Sequence, residues 1–138
     1  MEDRLSLSTT ARSQMLDITE NVRRVVSASG VRTGLCLVYS MHTTAGITVN
    51  EHADPDVAHD LLWWLDSTVP KRQEGFRHRE GNSDSHIKAV LVGTSATLLV
   101  RDGLLVLGTW QGVFFCEFDG PRRRRCLVRV VPDATAGA

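Results

Sequence analysis

Four of the five histidines in this chain stand beside carboxylates or amides: His42, His52, His78 and His86. His78 and His86 fall in residues 75–88, GFRHREGNSDSHIK, a polar run in which only Phe76 and Ile87 suit a core. Upstream lie His42-Thr43-Thr44-Ala45-Gly46 and Asn50-Glu51-His52-Ala53-Asp54-Pro55. Neutral imidazole is the commonest metal ligand and also the ordinary proton-transfer group near neutral pH. His42, His78 and His86 therefore fit a divalent metal site (magnesium or zinc), or acid–base chemistry without metal, or a set of surface histidines. Their spacing, unlike an HExxH pair, does not choose among these. Glu51 follows a strand-like run and precedes a helix start, a place for a general base or a metal-binding carboxylate. Together with His42 it is the candidate catalytic group. Asp54 needs no such role, because an Asp before Pro55 reads as a helix N-cap.

The second chemical feature is cationic. Residues 122–125 are four consecutive arginines. On a strand, Arg122 and Arg124 face one way and Arg123 and Arg125 the other. Arg122 and Arg124 are the candidate pair for a bidentate phosphate clamp. The alternative is an edge strand protected by charge. Asn82, Lys88 and Gln111 are the further candidates for substrate contact. No GxSxG or SxxK occurs, and Gly108-Thr109-Trp110-Gln111-Gly112 lacks the spacing of a phosphate or dinucleotide loop.

Composition narrows the class. The 138 residues suit one domain, residues 1–138, long enough to bury a core without disulfides. Formal net charge is +0 with neutral histidines, which argues against a general nucleic-acid or membrane-surface binder. Cys36, Cys116 and Cys126 lie in apolar runs with no CxxC, as buried small hydrophobes would in a reducing compartment. No run approaches the ~20 apolar residues of a membrane span, and the first residues lack an apolar signal core. A cytoplasmic location is the expectation.

The elements that must position these groups follow from periodicity. Residues 4–9 alternate Leu5 and Leu7 with serines, giving a strand with one buried face. Asp17 or Thr19 caps a helix over about Thr19 to Ser29, with Val22, Val25 and Val26 on its apolar side and Gly30 as the stop. Residues 34–41 read as a strand buried on both faces, and residues 47–49 as a second short strand. Asp54-Pro55 opens a second helix, on which the exposed Trp63 face is expected to meet another subunit. Residues 87–92 fit either a short helix or a strand. Asp102-Gly103 reads as a type I′ hairpin turn between residues 97–100 and 104–107. Residues 113–118 and 122–131 complete the strands, and the tail after Pro132 is expected to fray. The sum is an α+β protein with about seven strands and two or three helices.

The order of these motifs resembles the YjbQ family. The matching segments are His42-Thr-Thr-Ala-Gly, Asn50-Glu51, Asp54-Pro55, His78 with Gly81-Asn82 and His86-Ile-Lys-Ala. They continue with Asp102-Gly, Leu107-Gly-Thr-Trp-Gln and Glu117-Phe-Asp-Gly-Pro-Arg122. The resemblance implies a sandwich-like mixed sheet, a homotrimer, and a polar cleft between subunits lined by His42, Glu51, His78, Asn82 and His86. It also implies a weak thiamine-phosphate synthase activity, joining an aminopyrimidine pyrophosphate to a thiazole phosphate. The chain is too short for a TIM barrel, so any such activity was reached separately from barrel enzymes. The residues fit two other readings: a metal-dependent hydrolase of a small phosphorylated metabolite, and a non-catalytic trimeric module that binds an anion.

Overall fold

A computed structural model describes residues 1–134; residues 135–138, part of the expected frayed tail, lie outside the described residues. Eight strands form two antiparallel sheets. The larger has β1 (Glu2–Ser8), β8 (Arg123–Pro132), β3 (Gly34–Ser40), β5 (Ser95–Arg101) and β6 (Leu104–Leu105), in that spatial order. The smaller has β2 (Gln14–Asp17), β7 (Gln111–Glu117) and β4 (Ala45–Glu51). Three helices complete the described residues: α1 (Thr19–Ser29), α2 (Pro55–Thr68) and α3 (Ser83–Val92). The sandwich-like α+β architecture expected from the sequence is the one observed.

The core lies between the sheets. Cys36, Val38, Val128 and Val130 enter it from the larger sheet, and Ile47, Val113 and Phe115 from the smaller. α1 adds Val22, Val25 and Val26 to the same cluster. Its N-cap position is Ile18, not Asp17 or Thr19 as expected; Asp17 stands one residue earlier, its Oδ1 accepting the Thr19 backbone N–H at 3.0 Å, and the helix ends at Gly30, φ 69°. A second, smaller cluster of Ala89, Phe114, Cys116 and Phe118 lies on the far side of the three-stranded sheet, where Leu62, Leu65 and Val92 cover it. Burial pushes the thiols of Cys36 and Cys116 up to about 11 and about 12, as inert core cysteines require.

Two expectations need correction. β3 is buried on one face only: Cys36 and Val38 point into the core while Leu35, Leu37 and Tyr39 stay exposed. An all-apolar run does not reveal whether a second layer covers it. The stretch read as a central loop also ends in a helix: α3 begins at Ser83, well inside residues 75–88. The hairpin turn is as expected, with Asp102 and Gly103 both at positive φ, 52° and 76°.

Candidate functional site

β3 ends at Ser40 and delivers the chain into a short loop, Met41 to Thr44, that carries His42. The loop is pinned by Ser40, whose Oγ accepts the His42 N–H at 3.3 Å and donates to Ala45 O at 3.2 Å. The His42 ring is fixed from the other side. Its Nε2 accepts the backbone N–H of Arg125 at 2.9 Å. A ring nitrogen that accepts an amide proton carries none itself, so the neutral ring holds its proton on Nδ1. Burial, then the nearby charges of Arg124 and Arg122, outweigh the Glu117 charge and hold the His42 pKa below the usual histidine range. The ring is therefore a neutral hydrogen-bond donor at Nδ1 near pH 7.

Two cavities meet at this ring. One, of about 570 Å³, lies between the β3–β4 loop and α3 and is lined by Tyr39, His42, Thr43, His86, Val90 and Thr94 among others. The other, of about 620 Å³, lies across β1 and β8 and is lined by Ser6, Ser8, Met41, His42, Arg123 and Arg125 among others. His86 also lines a third hollow of about 550 Å³ with Phe76, Arg77, His78 and Ser83. The rings of His78 and His86 meet edge to face, centroids 5.3 Å apart. Thus His42 and the His78–His86 pair, from two separate parts of the chain, lie along adjoining cavities.

Other candidates are placed elsewhere. Glu51 closes β4 at the end opposite the His42 loop, paired with Gln111. The length of β4, about 20 Å at the usual rise per residue, separates it from His42 within one chain. Gln111 is turned back on its own bend, its Oε1 accepting the Gly108 N–H at 2.8 Å. Lys88 is 1% exposed, with Nζ 2.6 Å from Asp66 Oδ1 and 3.2 Å from Asp84 Oδ2. Asp84 in turn holds Arg12 by a two-pronged pair at 2.9 and 3.0 Å. Asn82 is buried at the start of α3, donating from Nδ2 to Asp119 Oδ2 at 2.8 Å, while its Oδ1 has no hydrogen-bond partner among the described residues. Asp54 is the N-cap of α2, accepting the Asp56 N–H at 2.9 Å. His52 is bonded through Nδ1 to Asp17 at 2.8 Å and lies against Gly112. A Cβ at Gly112 would come within 2.5 Å of that ring, so the glycine makes room for it.

The arginine run divides as strand geometry demands, but its inward member is not a ligand clamp. Arg124 is 3% exposed and is consumed by Glu117 and by Thr44 Oγ1 at 2.8 Å. Arg122 bonds Asp119 through its backbone and side-chain oxygens, at 2.8 and 3.2 Å. The pair that lines the open cavity is Arg123 and Arg125. Sequence reasoning passed over them and over Ser6, Ser8 and Tyr39. The alternation of Leu5 and Leu7 already placed both serines on the outer face, but nothing local showed which strand lies beside β1.

The imidazoles do not form a transition-metal ligand set as they stand. Among the described residues no three His, Cys, Asp or Glu side chains converge for a metal, and His42 offers no lone pair because one nitrogen is bonded and the other protonated.

Two antiparallel sheets with a core between them, two helices on the outer side of the smaller sheet, and a histidine-lined row of cavities at one end define a small α+β protein built around the β3–β4 loop and α3. The UPF0047 protein YjbQ-like family model matches residues 3–133, and the chain belongs to that family. A UPF0047 protein of Methanocaldococcus jannaschii is 50% identical over 127 residues, 92% of this chain and 91% of that protein. The UPF0047 protein YugU of Bacillus subtilis is 48% identical, over 92% and 96%. An uncharacterised YjbQ/UPF0047 protein from Clostridium acetobutylicum superposes with TM-score 0.92 at 49% identity, covering 94% of this chain and 99% of that one. A YbjQ-like protein of unknown function from Sulfolobus solfataricus also gives 0.92, at 32% identity over 96% and 97%. No helix among the described residues is long and apolar enough to cross a membrane.

Proposed function

We propose that this protein is an enzyme that acts on a small phosphorylated metabolite in the cavity between the β3–β4 loop and α3, with a weak thiamine-phosphate synthase activity. The observation that carries this reading is the meeting of His42 and His86, 44 positions apart in the chain, on the walls of one cavity of about 570 Å³. A cavity of that size suits one small ring-bearing molecule. In the reaction, the carbon–oxygen bond of an aminopyrimidine pyrophosphate breaks, pyrophosphate leaves with the electron pair, and the thiazole nitrogen forms the new bond to carbon. Fixed hydrogen-bond donors and cations at the leaving group are what such a step requires. His42 supplies a neutral N–H donor at the cavity mouth, and the exposed arginines of β8 supply cations beside it. A homotrimer in the cytoplasm belongs to the same proposal.

A non-catalytic anion-binding module is the second reading, favoured by Arg123 and Arg125, which have no carboxylate partner among the described residues. The two are separated by incubating the protein with aminopyrimidine pyrophosphate and thiazole phosphate in magnesium buffer. Slow formation of thiamine phosphate is expected, reduced at least tenfold in His86→Ala with an unchanged melting temperature. Absence of product over the protein-free control removes the synthase reading.

A further inference from the structure

We propose that the outer face of β1 and β8 beside His42 is a binding site for the terminal phosphate of a phosphate monoester. The inference deepens the reading of the His86 cavity and rests on it only for the direction in which the rest of the ligand lies.

The cross-strand register makes the case. Ser6 pairs directly with Arg125 and Ser8 with Arg123, so two hydroxyls and two guanidinium groups form a square on one sheet face. Arg123 and Arg125 are two positions apart on that face, about 7 Å along the strand, close enough to grip one phosphate from two sides. The same strand shows what an arginine held for structure looks like. Arg129, on the same face, has Glu2 opposite it and bonds that carboxylate at 2.9 and 2.5 Å. Opposite Arg123 and Arg125 stand serines, which donate to an oxyanion but do not neutralise a cation. The cavity of about 620 Å³ over this square has no carboxylate in its lining. Below it, Arg124 is neutralised by Glu117, so the uncompensated charge is that of the two outward arginines. A monoester near neutral pH brings close to two negative charges and three acceptor oxygens, which matches two forked cations and two hydroxyls better than a singly charged diester does.

His42 forms the border between this cavity and the one lined by His86. Its Nε2 is held by the Arg125 N–H. The same residue thus presents a guanidinium to the site and fixes the tautomer that leaves Nδ1–H free. His42 is placed to donate to a phosphate oxygen or to the bridging ester oxygen, with the organic part lying towards Tyr39, Val90 and His86.

The test is a titration of the full chain with inorganic phosphate, phenyl phosphate and dimethyl phosphate, followed by backbone and side-chain NMR. Saturable shifts are expected at Ser6, Ser8, Arg123, Arg125 and His42 Nδ1–H with the first two ligands. Phenyl phosphate should bind more tightly than inorganic phosphate, and dimethyl phosphate at least tenfold more weakly than phenyl phosphate. Ser8→Asp places opposite Arg123 the carboxylate that Glu2 gives Arg129. It and Arg123→Gln should each weaken phosphate binding at least tenfold, while Arg101→Gln, a distant exposed arginine, leaves it unchanged. Equal binding of dimethyl phosphate, equal loss in Arg101→Gln, or no change in Ser8→Asp overturns the site. Thiamine-phosphate formation that fails while phosphate still binds removes the reaction and keeps the site. Turnover that persists in Ser8→Asp without phosphate binding does the reverse.

Discussion

Glu117 and Arg124 leave water together. Glu117 is fully buried at the end of β7, where Arg124, Thr9 and the Asp119 N–H all bond its carboxylate. Burial by itself raises that carboxyl, but the hydrogen bonds from Arg124 and Thr9, the Asp119 bond and the Arg124 charge together hold it below the usual carboxylate range. Asp84 is held low in the same way, against burial, by Arg12 and Lys88. Removing one partner of such a pair strands the other charge, at a cost of about 3–5 kcal/mol. Glu117→Gln should therefore lower the melting temperature by roughly ten degrees or more, and Glu117→Gln with Arg124→Met should lose less than the two single changes added. The sign of the pH dependence follows from the direction of the shifts. A carboxyl whose folded pKa lies below its unfolded one contributes fully above the unfolded value, about 4, and loses that contribution as pH falls through the folded value. Wild-type melting temperature should thus drop steeply below about pH 4, and Glu117→Gln should show a shallower drop over the same range. Parallel curves for the two proteins would mean that Glu117 is not a linked group. The pairing was not legible in the sequence: Glu117 falls inside the expected strand over 113–118, in the run FFCEF, where nothing local names its partner.

Helices α1 and α3 show what periodicity can and cannot reveal. α1 has valines on its inner face and a glycine stop, and its bounds are the expected ones. α3 inverts the rule. Its buried face carries Asp84, Ser85, Lys88 and Ala89, while Ile87, Val90 and Leu91 are exposed. A helix whose inner side is an ion cluster has no apolar stripe to detect, so its first turn reads as part of a polar loop and residues 87–92 fit a helix or a strand equally. The histidines of that segment stand out by their chemistry alone, and the helix is what brings His86 to the cavity that His42 lines. α2 differs from both: its cap and Pro55 were legible, yet no residue on it is fully buried. Leu62 and Leu65 pack on the smaller cluster, and Asp66 reaches Lys88. An element held by so few buried groups should open locally at lower free energy than the core. Amide exchange in α2 should be faster than in α1 and β7. Asp54→Ala, which removes the cap at a cost of about 1 kcal/mol, should speed exchange in the first turns of α2 roughly fivefold without altering β7. Equal protection of α1 and α2 would show that α2 opens only with the whole domain.

At the scale of the molecule, the larger sheet has the core on one side and an apolar row on the other. Leu35 has Leu99 opposite it on β5 and Val131 opposite it on β8, so three exposed aliphatic side chains lie side by side across three strands. Leu37 and Tyr39 extend the row along β3 to the rim of the His86 cavity. Exposed rows of this kind mark association surfaces. Under the homotrimer proposal, this sheet face, which runs up to the rim of the His86 cavity, is the better seat for a neighbouring copy than the α2 surface, where Trp63 and Trp64, 63% and 56% exposed, line a separate hollow with Val57, Leu61 and Asp60. The sequence points to the tryptophan because an exposed tryptophan is unusual, while the all-apolar run of β3 gives no sign that one of its faces is uncovered. Sedimentation equilibrium should give three times the 15.2 kDa chain mass for the wild type. Leu35→Asp should shift the protein to the monomer with its fold intact, and Trp63→Asp should remain trimeric. The opposite pattern would assign the contact to α2, and a monomeric wild type would remove the trimer altogether.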